Sequence, residues 1–348
     1  LLAASDPAAT PFALTTVVEF LARHRHIKEA EGWLGLLEKM SPDTWATLVA
    51  KARLLRASDK ASEIAPLLVA FIEKNLTEET APNEQKLILL QAARLSAEVG
   101  LSSEAESYYR KLSELVPEAN FDLANYLAVQ GRLKDAVQTL LAAKVSDEAS
   151  RAIVLCSLLS RAKPDQELSS LIEPAIATAQ KQNPQHANLA LAIGTMRYLH
   201  GDREQAIQQF RHVLKIEPDN VLTLNNLANL LSETPAQFVE ALQCIQKAIQ
   251  IQGPRADLLD TLGVVLLRQD KVDQAIQVFR QAVEDPAADA RFYFHLALAY
   301  QRKNQLDDAR VAMVKANDKK LSDQPLTLEE RTALQGLTRV LQDQGNKQ

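Results

Sequence analysis

The segment that decides the fold is GTMRYLHGDREQAIQQFRHVLKIEP, residues 194–218. Apolar residues recur at helical spacing on both sides of Gly201 and Asp202, which predicts two short amphipathic helices joined by a tight turn. Pro218 cannot continue a helix and should end the second one. Because neither helix could bury its apolar face alone, the segment predicts a unit that packs against copies of itself.

The same unit recurs, and it is most regular in the second half of the chain. Three positions repeat: a small residue on the first helix, an alanine opening the second helix, and a large apolar residue four positions later. The alanines are spaced by 35, 34 and 34 residues, with the extra residue in the loop 232–238. The three series are Gly194, Ala228, Gly263 and Ala297; Ala206, Ala241, Ala275 and Ala309; and Phe210, Ile245, Phe279 and Met313.

Helical periodicity covers nearly all 348 residues, and alternating strand patterns are missing, so the predicted fold class is all-α. Residues 1–184 form irregular repeats, residues 185–320 form four regular repeats, and residues 321–348 form a terminal helix and tail. Pro174 should start or kink the helix that contains it. Leu1 to Pro7 resembles the end of a helix from a truncated upstream repeat, which suggests a fragment of a longer chain.

The terminal helix begins with a capping-box pattern, Thr327-Leu328-Glu329-Glu330, and should run to about Leu341. Its apolar residues cover one face, so its polar residues should face water, as the end of a stacked array requires. That apolar set is Leu328, Leu334, Leu337, Val340 and Leu341.

Composition narrows the function classes. A net charge of -5 argues against nucleic-acid binding, which usually shows a basic stripe. No apolar run approaches the roughly 18 residues of a membrane span. Cys156 and Cys244 lie far apart in apolar helical contexts and are expected to be packed free thiols. The compartment is not specified; cytoplasm is the default expectation and periplasm the alternative.

The repeated residues resemble the tetratricopeptide-repeat family, a resemblance carried by Gly194, Ala206, Phe210 and Pro218 and their equivalents. It implies a right-handed α-solenoid of about nine helix pairs plus a C-terminal capping helix, covering nearly the whole chain. The small residues would let two helices approach closely, and Phe210 would fill the space beside them. RNA-reading pentatricopeptide repeats fit less well because of the small-residue positions and acidic balance, and HEAT repeats are longer.

The resemblance further implies a groove, formed by the first helix of each pair, that binds a peptide or partner helix. Asn225, Asn226 and Asn229 are its most specific feature, because their spacing puts them on one helix face and amides can hold an extended backbone. Hydrogen bonds between helices or to water are the alternative. The predicted partner-binding residues are Asn225, Asn226, Asn229, Asp260, Arg268, Arg291, His295 and Arg302.

Two more specific activities are conceivable for this groove. Arg291, His295 and Arg302 would suit an acidic ligand, although an ion pair between Arg291 and Asp257, one repeat earlier, is the alternative. The carboxylate clamp of the chaperone-binding subset does not fit. Asn226 could supply its asparagine, but its other positions fall on Leu191, Thr195, Asp257 and Thr261, which cannot hold a carboxylate.

No residue pattern indicates catalysis. The six histidines form no metal set, and phosphate-loop, nucleophile-elbow and metalloprotease motifs are missing. The sequence therefore predicts a non-catalytic interaction scaffold without a cofactor. A docking or regulatory segment of a larger enzyme, and a self-assembling module of an envelope or secretion complex, are the alternatives. An open N-terminal end with an unpaired apolar face also predicts weak self-association.

Overall fold

The computed structural model describes residues 10–161, 165–324 and 326–345. In these ranges the backbone forms nineteen α-helices and four short 3₁₀ turns, with no strand. The 3₁₀ turns are Ala61–Glu63, Pro117–Ala119, Pro235–Gln237 and Leu321–Asp323. The α-helices are α1 (Pro11–Arg23), α2 (Ile27–Met40), α3 (Trp45–Ala57), α4 (Ile64–Asn75), α5 (Pro82–Val99), α6 (Ser102–Leu115), α7 (Asn120–Val129), α8 (Leu133–Ala142), α9 (Glu148–Ser160), α10 (Gln166–Gln182), α11 (Ala187–Leu199), α12 (Arg203–Ile216), α13 (Val221–Leu231), α14 (Phe238–Gln252), α15 (Ala256–Arg268), α16 (Val272–Ala282), α17 (Ala290–Arg302), α18 (Leu306–Asp318) and α19 (Leu328–Gly345).

Across the described ranges, α1 to α18 form nine consecutive pairs, which confirms the predicted all-α array of helix pairs with α19 as an additional terminal helix. The chain divides into two compact units, the first ending at Ser146 with α1–α8 and the second starting at Asp147 with α9–α19. The division of the sequence at 184/185 and 320/321, which concerns repeat regularity, stays a prediction. The predicted helix tail at Leu1 to Pro7 lies outside the described residues.

The small residues of the repeat pack directly against the large apolar ones. A Cβ atom placed on Gly194 would lie 2.7 Å from Cε1 of Phe210, and Phe210 is fully buried. The next glycine of the series, Gly263, meets Phe279 in the same way. A larger side chain at Gly194 therefore has to displace a core aromatic, at a cost of about 1–3 kcal/mol.

The turn inside a helix pair needs a residue with positive φ. Gly201 supplies it in the deciding segment with a φ of 83°. The Asp202 side chain then accepts a hydrogen bond from the amide of Gln205 and caps α12. In later pairs Asp270 and Asn304 take the left-handed conformation, with φ of 60° and 61°. Asp and Asn tolerate this region better than most residues, which explains how regular turns form with few glycines.

Two local predictions concern helix ends. Pro174 lies in the interior of α10 and does not start it. The predicted capping box is confirmed, because the Thr327 amide donates to Oε2 of Glu330 at 2.6 Å and the Glu330 amide donates to Oγ1 of Thr327 at 3.2 Å. The helix continues to Gly345, beyond the predicted end near Leu341. The side chain of Leu328, one of its predicted apolar residues, lies outside the description.

Candidate partner-binding groove

The candidate site lies in the second unit, on the first helices of the four regular pairs, α11, α13, α15 and α17. Neighbouring first helices pack against each other, as α13 does with α15 and α15 with α17, and each second helix packs against the first helix of its own pair and, where one follows, of the next pair. We call the face of these first helices on which α19 lies the groove. Side chains from all four helices and from α19 surround one cavity of about 650 Å³ there.

An ion network joins α19 to the groove. Nδ1 of His295 donates to both carboxylate oxygens of Asp260, at 2.9 and 3.0 Å, and Nε2 lies 3.3 Å from Oε1 of Glu330. The three side chains are 12%, 10% and 21% exposed, respectively. With a carboxylate at each ring nitrogen, the geometry fits a doubly protonated imidazolium. His295 therefore connects α15, α17 and α19.

The pKa values of the network follow from this geometry. Burial by itself would lower the pKa of His295, but Asp260 and Glu330 outweigh it and raise that pKa to about 9. Burial would raise the pKa of Glu330, but hydrogen bonds from His295 and from the Thr327 amide lower it to about 2. At neutral pH His295 is therefore mainly protonated and Glu330 mainly ionised, so α17 and α19 meet through opposite charges.

Arg268 makes the second link to α19. Its guanidinium donates to Oε2 of Glu329 at 2.8 Å and to the Ser232 hydroxyl at 3.2 Å. Glu233 approaches the same guanidinium at 4.0 Å. The Glu329 side chain is 64% exposed, so this link is a surface ion pair, in contrast to the enclosed network at His295.

Two sequence-based interpretations are corrected by these contacts. The polar residues of the terminal helix were expected to face water, but Glu330 points at His295 and Glu329 at Arg268. The proposed ion pair between Arg291 and Asp257 is also wrong. Arg291 lies 3.4 Å from Asp289, and Asp257 pairs with Arg255 at 3.1 Å, because each has a closer partner at its own helix N-terminus.

The three asparagines of α13 are placed differently from the ion network. Asn225, Asn226 and Asn229 are each partly exposed, and within the described part of the chain none of their side chains makes a hydrogen bond. Oδ1 of Asn225 is buried without a partner there. Of the two predicted alternatives, hydrogen bonds between helices do not occupy these amides within that part, and hydrogen bonds to water stay a prediction.

The structure brings only some of the predicted residues together. Asn229, Arg268, His295 and Arg302 line the cavity, and Arg302 also lies 3.6 Å from Asp270. Asp260 lies behind His295, whereas Arg291 lies at the start of α17 and does not line the cavity. Sequence reasoning missed Glu329 and Glu330 as groove residues. The capping box marked both, but nothing in it indicated that the helix folds back towards α15.

The described ranges lack the features that would indicate other chemistry. In these ranges no group of three or more His, Cys, Asp or Glu side chains is arranged to hold a metal ion, and none of the helices combines the length and the apolarity needed to cross a membrane. Cys156 and Cys244 are buried free thiols, as predicted. Burial raises the pKa of the Cys156 thiol to about 12 and that of Cys244 to about 11, which disfavours the nucleophilic thiolate.

Stacked helix pairs with a small-residue signature and a groove on the first helices define the class of helical-repeat interaction proteins. Residues 90–151 and 261–316 match the family model for the tetratricopeptide repeat. These matches identify tetratricopeptide repeats in both regions, and they confirm the resemblance drawn from Gly194 and its equivalents. Proteins of this family generally serve as scaffolds for protein interaction.

A curated relative and several solved structures are similar to this chain. A TPR repeat-containing protein of Pseudomonas aeruginosa is 29% identical over 154 residues, which are 44% of this chain. The match spans only 26% of that relative's length. A structure of MamA from Desulfovibrio magneticus, residue 41 to the end, is 16% identical with a TM-score of 0.42, covering 52% of this chain and 99% of that one. Another MamA crystal structure is 21% identical with a TM-score of 0.37, covering 43% and 86%, respectively.

Proposed function

We propose that this chain is a non-catalytic interaction scaffold that binds a peptide or a partner helix in the groove of its second unit. The observation that carries the proposal is the group of three partly exposed amides on α13, whose side chains make no hydrogen bond within the described residues. Native proteins satisfy nearly all buried polar groups, so a buried amide oxygen without an internal partner suits a site that receives an external donor.

The positions of the amides support an extended or helical ligand. Asn225 and Asn226 lie four and three residues before Asn229, so all three lie on one side of α13. Each amide can both donate and accept, and can therefore hold a peptide backbone irrespective of its sequence. Asn229 and Arg302 both border the cavity, so a ligand held at α13 could extend along the groove towards α17.

The test is capture of partners from the source lysate by the full chain. We expect the variant Asn226→Ala/Asn229→Ala to lose at least about 90% of the captured partner, since losing tenfold in affinity takes only about 1.4 kcal/mol. Gln243→Ala/Gln246→Ala is the matched control, because it removes two amides three residues apart from the exposed side of α14 in the same repeat. Partner capture that survives the α13 variant unchanged would overturn the groove assignment.

A further inference from the structure

The resident helix α19 reveals which ligand chemistry one end of the groove accepts. Its first turn places Glu330 on His295 and Glu329 on Arg268, and its Leu337 is fully buried in the core of the last repeats. Glu330 and Leu337 are seven residues apart, which puts them on the same face of a helix. That face thus combines a first-turn carboxylate with an apolar residue two turns later.

The groove is prepared for such a helix independently of α19. Asp260 holds Nδ1 of His295, so the ring keeps its second N–H directed away from α15 and available to a carboxylate. Arg268 and Arg302 add positive charge on the same side of a chain whose net charge is -5. Val264 and Leu298, which line the same cavity, provide apolar contact surface. The site therefore complements an acidic helix end and would repel a basic one.

The contact of α19 with the groove is incomplete. The cavity of about 650 Å³ lies between the helix and the groove, bordered on the helix side by Thr327, Glu329, Ala333 and Gly336. The Glu329 carboxylate is largely exposed, and the other side of the helix, including Gln335 and Arg339, faces outwards. The helix docks through the fully buried Leu337, through the partly buried Ala333, Leu334 and Leu341, and through the enclosed ion contact at His295.

We propose that α19 is a displaceable occupant of the groove, and that the end formed by α15 and α17 binds a partner helix of the same chemistry. That partner helix carries two adjacent carboxylates in its first turn and an apolar residue seven positions after the second. The inference rests on the proposed function, because it specifies the partner of the same groove. α19 and the partner helix then compete, and the partner binds as α19 leaves.

A fluorescent peptide of residues 326–345 is the probe, and its binding to the full chain is followed by fluorescence anisotropy. We expect weak binding to the wild-type chain and at least about tenfold tighter binding to Glu329→Ala/Glu330→Ala, because apparent affinity falls by the fraction of molecules whose groove is free. The control Gln335→Ala/Arg339→Ala changes the outward side of the same helix and should behave like wild type. Equal affinity for wild type and Glu329→Ala/Glu330→Ala would overturn the proposal.

A second set of variants tests where the peptide binds. Adding Arg268→Met and His295→Gln to the Glu329→Ala/Glu330→Ala variant should reverse its gain in peptide affinity. A peptide with alanine in place of both glutamates should bind the Glu329→Ala/Glu330→Ala variant at least about tenfold more weakly. Binding that ignores these changes would show that the peptide docks elsewhere and would overturn the proposal. If the alanine variant loses its far-UV helical signal, Glu329→Gln/Glu330→Gln replaces it.

Failure of this proposal and failure of the proposed function give different results. If α19 is a permanent structural element, the peptide binds no variant tightly, while partner capture still depends on Asn226 and Asn229. If the groove is not the partner site, replacing Asn226 and Asn229 leaves partner capture unchanged. The peptide then still binds the Glu329→Ala/Glu330→Ala variant through Arg268 and His295.

Discussion

Asn226 and His295 occupy the same repeat position, two repeats apart, and the structure uses them in opposite ways. The imidazole of His295 is enclosed between Asp260 and Glu330 and joins three helices. The Asn226 amide is partly exposed on α13 and, in the part of the chain that the structure describes, its side chain has no hydrogen bond. The same position thus joins helices at one end of the groove and makes no side-chain hydrogen bond to the described residues at α13.

This difference shows that the packing of the repeat does not determine which residue stands at the groove position. Gly194 and Gly263 both meet a buried phenylalanine, so the signature positions are constrained alike in different repeats. Groove residues lie outside that contact and can vary without disturbing the stack. Specificity should therefore be found by comparing groove positions between repeats, and each prediction below changes one side of the comparison.

The largest effect is expected from His295→Leu. The substitution leaves the carboxylates of Asp260 and Glu330 facing each other without the intervening cation, which we expect to cost about 3 kcal/mol. The equivalent Asn226→Leu removes an amide that makes no internal hydrogen bond and should change stability by less than about 0.5 kcal/mol. Urea unfolding followed by circular dichroism at 222 nm measures both.

Circular dichroism is the suitable signal because the two tryptophans, Trp33 and Trp45, belong to the first unit, whereas both substitutions lie in the second. His295→Gln is the control, since its amide can donate one of the two hydrogen bonds, and it should lose less than His295→Leu. Equal costs for the leucine substitutions at 226 and 295 would remove the distinction between the two ends of the groove.

A pH dependence should follow at one end of the groove. The pKa of His295 is raised from 6.5 to about 9, so its contribution to stability is complete below pH 6.5 and disappears as the pH rises through 9. The pKa of Glu330 is lowered from 4.5 to about 2, so its contribution is complete above pH 4.5 and disappears as the pH falls through 2. Docking of α19 should be tightest between about pH 4.5 and 6.5.

Hydrogen exchange measures this, as protection factors for the α19 amides at pH 5.5 and pH 9. The groups facing His295 are Asp260 from α15 and Glu330 from α19, with the Arg268–Glu329 pair beside them, so protection should fall at pH 9. In the His295→Gln variant, the protection of the α19 amides should not fall between pH 5.5 and pH 9. Protection of α13 amides should not change between the two pH values, and a parallel loss there would point to general unfolding.

The stack itself could be predicted from the sequence, because its determinants are local and repeated. Gly194, Ala206 and Phe210 recur at a fixed spacing, and their close contact follows from side-chain size. The turns were harder to locate from the sequence, because Asp270 and Asn304 take the place of glycine at positions where φ is positive. The capping box was visible because its two hydrogen bonds join residues three apart.

The candidate site could be predicted only in part. Asn225, Asn226 and Asn229 were found because they share one face of a helix. The packing of α19 onto the groove could not be predicted, because the contact between Arg268 and Glu329 joins residues 61 positions apart. No repeat or periodicity in the sequence relates these two residues. Arg291 illustrates the opposite error, because the expected partner one repeat away was outcompeted by its own helix cap, Asp289.

A smaller effect, of opposite sign, is expected at Asn225. Its buried Oδ1 has no hydrogen-bond partner within the described residues, so Asn225→Leu removes a desolvated polar atom and should stabilise the chain by up to about 1 kcal/mol. The same variant should capture less partner, as expected where a binding site is kept at the expense of stability. Urea unfolding and the capture assay are run on one preparation. A destabilised Asn225→Leu would assign the amide a structural role.

The smallest effect should come from the exposed link between α19 and the groove. Glu329→Gln removes the charge from a carboxylate that is 64% exposed, so the loss in unfolding free energy should stay within about 0–1 kcal/mol. The loss should shrink further in 1 M salt, because screening weakens an exposed pair far more than the enclosed contact between Glu330 and His295. Urea unfolding of Glu329→Gln and Glu330→Gln at low and high salt compares the two adjacent carboxylates directly. A loss at Glu329 that matches Glu330 and resists salt would place the main anchor of α19 at Arg268 instead of His295.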